Sequence, residues 1–177
     1  LRNYTPKLKV LKLASNNMTY FDLTRLPSNL EMLDISSNGI TTAPSNPYTN
    51  ANSLPTSLKE LNIKFNDFGG SFDFGDLPRN LEKLDAEKLG LPSSQADFDK
   101  LPNSIITLDL VRNSLGNKDL GKLSGLNNLK NLSLAVNGRT NMVNSSQLPN
   151  SLEILGLEFN NIGSSYFDID DLPTGLK

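Results

Sequence analysis

The chain has no cysteine and no histidine. Their absence removes thiol nucleophiles, disulfides, imidazole general bases and the usual Cys/His zinc sets together. A charge excess is missing too: 17 Lys and Arg stand against 19 Asp and Glu, a net charge of −2. The cations are scattered, with none of the basic stripe that phosphate-backbone binding needs, so no nucleic-acid partner is expected. No apolar run approaches the roughly 18 residues of a membrane span, so no membrane insertion is expected within this segment. No start methionine or signal peptide is visible, and Leu1 opens inside a repeat-like segment.

What is there is repetition. Seven times the chain writes L-x-x-L-x-L-x-x-N-x-L or a near variant. The plainest copies are Leu30-Leu33-Ile35-Asn38-Ile40, Leu58-Leu61-Ile63-Asn66-Phe68 and Leu152-Leu155-Leu157-Asn160-Ile162. Over nearly its whole length the chain resembles the leucine-rich-repeat family. The resemblance implies an α/β solenoid shaped as a horseshoe, with a parallel β-sheet on the concave face and short helical turns and loops on the convex face. One solenoid is expected over residues 1–177. Its repeats start at Leu8, Leu30, Leu58, Leu81, Ile105, Leu129 and Leu152, and an eighth begins at Leu176. No cap closes either end, so the segment reads as a fragment of a longer chain with further domains.

Apolar residues at the fourth and sixth positions alternate with polar neighbours, as in a half-buried strand. Leu11 and Leu13, Leu33 and Ile35, and Leu108 and Leu110 are such pairs. No single strand covers its own apolar face, so stacking of repeats must do it. The ninth position holds Asn16, Asn38, Asn66, Asn113, Asn137 and Asn160. There the backbone leaves the sheet, and a side-chain amide can satisfy both the donors and the acceptors it leaves behind. Leu89 breaks the column, as an altered corner or a misaligned copy. Arg139 stands at the eleventh position, where an apolar residue belongs, and Met142 is the candidate to fill that space.

Between strands a second pattern recurs, D-Φ-x-x-L-P, at Asp22, Asp73, Asp97 and Asp168; Asp119 matches without the proline, and Asn50 and Asn144 take the same place. Asp and Asn are strong helix N-caps, worth about 1 kcal/mol each. Apolar residues one and four places later share a helix face, and the proline ends the helix. Each connection therefore reads as a single capped helical turn. The longest repeat carries an insertion, Thr42–Tyr48, read as a projecting turn-rich loop.

The strand residues that do not point inward form the candidate partner-binding face: Glu60, Asn62, Lys64, Phe65, Lys83, Asp85, Glu87, Asp109, Val111 and Arg112. Asp85 and Asp109 should be direct neighbours, two carboxylates about 5 Å apart that repel by roughly 1 kcal/mol in water. Lys83 and Arg112 are the candidate compensators. An open sheet has no desolvated cleft in which to separate two carboxyl pKa values, so no catalysis is expected. Phe65, Val136 and Phe159 occupy the eighth position, where an aromatic side chain either anchors a partner or folds back onto the stack.

Asp97-Phe98-Asp99 and the Asp168–Asp171 run offer clustered oxygens, but the capping role accounts for the leading Asp of each, so no metal or cofactor is expected. N-x-S/T sequons stand at Asn3, Asn17, Asn131 and Asn144, and a glycan on Asn131 would block the sheet.

The resemblance implies a non-catalytic module for protein–protein recognition through the concave sheet, its partner unidentified. The L-P-x-x-L lead at Leu26 and Leu148 is similar to repeats of bacterial and protist surface or effector proteins, which favours an extracellular or surface setting over a cytoplasmic one. Two other readings stand beside it: a structural or adhesive solenoid that packs laterally through its convex turns, and the regulatory arm of a larger receptor kinase or ligase.

Overall fold

The computed structural model describes residues 7–41, 54–68, 72–141, 143, 145–163 and 169–177. Among them, seven three-residue strands form one parallel sheet in chain order. They are β1 (Val10–Lys12), β2 (Met32–Asp34), β3 (Glu60–Asn62), β4 (Lys83–Asp85), β5 (Thr107–Asp109), β6 (Asn131–Ser133) and β7 (Ile154–Gly156). Every strand pairs in register with the next, so the fourth-position leucines from Leu11 to Leu155 form a single row. That row points into the core, joined by the first- and sixth-position side chains. Burying each leucine contributes about 1.5–3 kcal/mol. No repeat has this burial alone, which is why the repeats fold as a stack.

The expected amide column is present and works across repeats. Asn113 donates from Nδ2 to the carbonyl of Ala86 in the preceding repeat (2.9 Å) and to that of Leu110 in its own (3.0 Å). Its Oδ1 accepts from the N–H groups of Leu89 (3.1 Å) and Leu91 (3.0 Å). Asn38, Asn66, Asn137 and Asn160 repeat the scheme. Leu89 does occupy the ninth position, because β4 is in register on both sides. It is an altered corner: Leu89 is fully buried and its backbone is held by Asn113.

One feature of this corner escapes the residue pattern. The eighth residue of each repeat (Ser15, Ser37, Phe65, Lys88, Arg112, Val136 and Phe159) is left-handed, with φ between 50° and 58°. From Ser15 to Val136, each donates its N–H to the seventh-position carbonyl of the next repeat, at 2.8–3.0 Å. The left-handed residue turns the chain off the sheet. Glycine and asparagine adopt this conformation most easily, and a β-branched valine is strained by it.

A second polar column lies just before each strand. Ser57 donates to the carbonyls of Ser28 (2.8 Å) and Leu30 (2.7 Å), and Ser104 to those of Arg79 and Leu81. Ser151 likewise donates to the Leu129 carbonyl (2.8 Å), and Asn128, at the same position, donates to that of Asn103 (2.9 Å). The L-P-x-x-L lead forms a turn in which the proline carbonyl accepts from the leucine N–H, as from Leu30 to Pro27 (3.1 Å) and from Leu81 to Pro78 (3.0 Å). The proline thus opens a turn as well as ending a helix.

Among the described residues the convex turns are 3-10 rather than α. They span Leu23–Arg25, Phe74–Asp76, Phe98–Lys100, Gly121–Leu123, Ser145–Gln147 and Ile169–Asp171. Proline forces the residue before it into an extended conformation, and Leu26, Leu77 and Leu101 have ψ of 142–144°. At these three turns too few residues remain for an i→i−4 bond; Gly121–Leu123 is 3-10 as well, with Ser124 where the proline would stand. Asp22 and Asp73 cap their turns as expected, accepting from Thr24 (3.0 Å) and Gly75 (2.8 Å). Asp119 accepts from Gly121 (2.8 Å). Asp97 is a correction: its side chain makes no capping bond. The apolar partners Leu23, Leu26, Phe74, Leu77, Phe98, Leu101, Leu120 and Leu123 are buried as read, and the Phe74 and Phe98 rings stack at 6.1 Å; at the last turn the reading fails, with Ile169 74% exposed and Leu172 half-buried.

Arg139 is buried despite its charge and donates from Nη1 to the Lys118 carbonyl at 2.8 Å. Desolvation holds its pKa below the usual arginine value, opposed by Asp119. The caps read at Asn50, Asn144 and Asp168, the filler Met142 and the Thr42–Tyr48 insertion lie outside the described residues.

Candidate functional site

The sheet turns one face inward, and the alternate residues present a grid on the other. Third-position Glu60 and Lys83, fifth-position Asn62, Asp85 and Asp109, and seventh-position Lys64, Glu87 and Val111 lie side by side across β3–β5. Phe65 and Arg112 follow at the left-handed corner. The structure therefore brings all ten predicted residues onto one continuous surface, with a shallow depression between the third and fifth columns of β2–β5.

The fifth column has a backbone role that the sequence pattern did not suggest. Asp34, Asn62, Asp85 and Asp109 each turn Oδ1 back to the N–H two residues on, at 3.0–3.3 Å. Acid or amide serves equally, since only an acceptor is needed.

Charge pairing on the face differs from expectation. Lys64, not Lys83, bridges Asp85, at 2.9 Å. Lys83 reaches back to Glu60 (3.0 Å), and Arg112 lies 3.6 Å from Glu87. Each long cation folds along the stack toward the repeat beside its own, and Asp109 gains no ion pair among the described residues. Burial pushes the Asp109 carboxyl above its ordinary value, and the charges of Asp85 and Glu87 push the same way. The Val111 N–H and Lys64 pull against them. The bond to Asp85 holds the Lys64 ammonium above its ordinary pKa.

At the eighth position, Phe159 is 88% exposed and Val136 37% exposed, so neither folds back onto the stack. Phe65 is half-buried, with the Lys88 ammonium 5.8 Å from its ring centre.

The second position carries an alternation that sequence reasoning missed although it is plainly written: Lys9, Glu31, Lys59, Glu82, Ile106, Lys130, Glu153, Lys177. Neighbours pair at 2.7 Å (Lys9–Glu31), 3.7 Å (Lys59–Glu82), 3.0 Å (Lys130–Glu153) and 2.6 Å (Lys177–Glu153). The signal was a charged residue once per repeat with its sign alternating, a charge period of two repeats.

The candidate calcium acids face lysines: Asp97 lies 3.9 Å from Lys100, and Asp99 lies 3.2 Å from Lys122. Among the described residues no three acidic side chains gather as a metal site. No helix there is long and apolar enough to cross a membrane.

Two family profiles match the chain, one described as Leucine Rich repeat over residues 55–71 and one as Leucine Rich Repeat over residues 29–50. The chain carries leucine-rich repeats. Solved leucine-rich-repeat structures share its fold. An internalin from Listeria monocytogenes str. 4b F2365 has 26% identity and a TM-score of 0.55, over 72% of this chain and 35% of that one. YopM from Yersinia enterocolitica WA-314 also has 26% identity and a TM-score of 0.55, over 86% and 33%. The functional domain of InlJ from Listeria monocytogenes, which includes a cysteine ladder, has 22% identity and a TM-score of 0.66, over 97% and 38%. This chain, without cysteine, stacks amide and hydroxyl ladders. It spans only 33–38% of the length of these proteins. No curated protein matches it.

Proposed function

We propose that this leucine-rich-repeat protein is a non-catalytic recognition module that binds a protein partner on the exposed face of its sheet. The observation that carries the reading is the division of labour among its polar groups. The amide ladder, the serine ladder and the strand pairing occupy backbone groups at the corners and in the sheet. What projects from β3–β5 is a rigid grid of side chains with both charge signs and apolar neighbours. Such a surface suits a macromolecular partner better than a small substrate, since it offers area and no enclosed site.

The test is capture by wild type beside a face variant with Asp85→Asn, Glu87→Lys and Asp109→Asn. This variant keeps the fifth-position acceptors, and circular dichroism establishes that it is folded. A partner retained by wild type and lost by the face variant is the expected result. A partner held equally by both would move the binding surface off the sheet.

A further inference from the structure

The second-position residues form a row along the edge of the sheet, from Lys9 to Lys177. Its backbone is fixed from end to end. Each member from Glu31 onward donates its N–H to the carbonyl of the member one repeat earlier, at 2.7–3.0 Å. The charged side chains of the row are exposed or half-buried. Two residues earlier in each repeat, Ser57, Asn80, Ser104, Asn128 and Ser151 are short and uncharged, and each donates to a main-chain carbonyl of the preceding repeat. Arg79 beside them is turned to the Gly75 and Lys100 carbonyls.

The order of signs has a centre. Ile106 takes one place in the row without a charge, and about it every sign inverts. Glu82 stands one repeat before it and Lys130 one after; Lys59 and Glu153 are two away, Glu31 and Lys177 three. A second copy brought up antiparallel, about a two-fold axis through Ile106, would meet the first with Glu82 on Lys130, Lys59 on Glu153 and Glu31 on Lys177, each contact made twice. Sliding that copy by one repeat would set Lys59 on Lys130 in one direction and Glu82 on Glu153 in the other, like on like.

We propose that this edge is the contact surface of a symmetric antiparallel homodimer, with Ile106 on Ile106 at its centre. The inference goes beyond the recognition reading and uses none of its residues, so either can fail alone. Charge complementarity carries it. The six charges that meet are three acids and three cations, so this stretch has no net charge to repel its copy. Neighbours along the row already pair within the chain, and across the axis each charge gains a further opposite one. The contact from Glu31 to Lys177 spans six strand steps, about 29 Å. Exposed pairs contribute little each, and the apolar centre is one half-buried isoleucine per chain, so the dimer is weak and sensitive to salt. What the charges fix is its register.

Sedimentation equilibrium of the intact chain tests this, over a rising concentration series in dilute buffer and in about 1 M salt. Wild type should move from monomer toward dimer mass as concentration rises, and stay monomeric in the salt. Glu82→Lys alone, or Lys130→Glu alone, sets like charges together twice and should weaken association roughly tenfold or more. The two single variants mixed, and the double variant Glu82→Lys/Lys130→Glu, should both recover it. Recovery would come from contact between copies and not from repair within one chain. Positions 82 and 130 lie two strands apart there, about 9.6 Å, and the double variant leaves Lys59 and Glu153 each facing a like charge. Circular dichroism establishes that each variant is folded. Should the single variants not fold, Ile106→Cys provides a second measurement, since the chain has no cysteine of its own. It should join copies through a short bis-maleimide, whereas Lys9→Cys, which the axis leaves without a mate, should not. A wild type monomeric at every concentration, a dimer that Glu82→Lys leaves intact, a double variant that fails to recover, or equal cross-linking of the two cysteine variants overturns the proposal.

Discussion

Asp85 and Asp109 stand opposite one another on β4 and β5, and each turns a carboxylate oxygen back to its own chain, to Glu87 N–H at 3.3 Å and Val111 N–H at 3.0 Å. The pair repels across the strands while each member holds its own backbone. An amide gives the second effect without the first, as Asn62 does for Lys64. Replacing both by Asn should leave urea stability unchanged or higher. Asp109→Ala removes the acceptor and should lower stability by about 1 kcal/mol. A double Asn variant that unfolds would mean the carboxylate charges themselves are structural.

The pH dependence of Asp109 has a definite sign. Its folded-state pKa lies above the ordinary 3.8, chiefly through burial. Its contribution to stability is therefore fully present below the unfolded value and lost as pH rises through the folded one. The stabilising effect of Asp109→Asn should be small at pH 3 and larger at pH 7. Asp73 runs oppositely: Lys100 and the Gly75 N–H hold it below 3.8, so its contribution is present above that value and lost as pH falls. Denaturant titrations of both Asn variants at the two pH values test the contrast, which fails if the two shift stability in parallel.

Asn113 should be far more costly to remove than Asn16. Asn113 is buried and serves carbonyls and N–H groups of two repeats, whereas Asn16 is exposed and bonds only carbonyls of its own repeat in the described contacts. Asn113→Ala should lose about 3 kcal/mol, because buried partners are left unsatisfied at roughly 1–3 kcal/mol each, and Asn16→Ala under about 1. Equal melting shifts would remove the ladder from the account of stability.

Leu132 lies in the fourth-position row, flanked by Leu108 and Leu155, with 1% exposure. Leu132→Ala should destabilise by about 2–5 kcal/mol, and Leu132→Asp should unfold the neighbouring repeats. A Leu132→Asp variant that melts with the parent would refute the register.

Val136 carries a β-branched side chain at φ 55°. Val136→Asn should relieve that strain and raise stability by about 1 kcal/mol, read as a higher melting temperature. No gain would mean that the left-handed corner is imposed without strain.

Glu153 joins Lys130 and Lys177 on an exposed edge. Both lysines hold its pKa below the ordinary 4.5, so its contribution is lost as pH falls through the folded value. Glu153→Gln should lower the melting temperature in dilute buffer and leave it unchanged in 1 M salt, since exposed pairs are screened over roughly 3 Å there. A salt-independent loss would point to packing instead.

The sequence by itself determined the repeat, the strand centres, the inward leucines and the amide corner. These follow from a period that every copy restates, and because side chains alternate along a strand, the leucines' positions dictate which residues face outward. The helical turns were legible from Asp-Φ-x-x-L-P, but their 3-10 geometry was not, and Gly121–Leu123 adopts it without a following proline. Only the tertiary structure decided which charges pair. Lys64, Lys83 and Arg112 are long and flexible, so their partners depend on distances across strands, and the sequence pointed to Lys83 where Lys64 is found. The left-handed corner was equally hidden. Its occupants range from serine to phenylalanine, because the hydrogen bond to the next repeat is made by backbone alone. Arg139 shows the limit of pattern reading: its position reads as apolar, and stacking buries the guanidinium there against the Lys118 carbonyl.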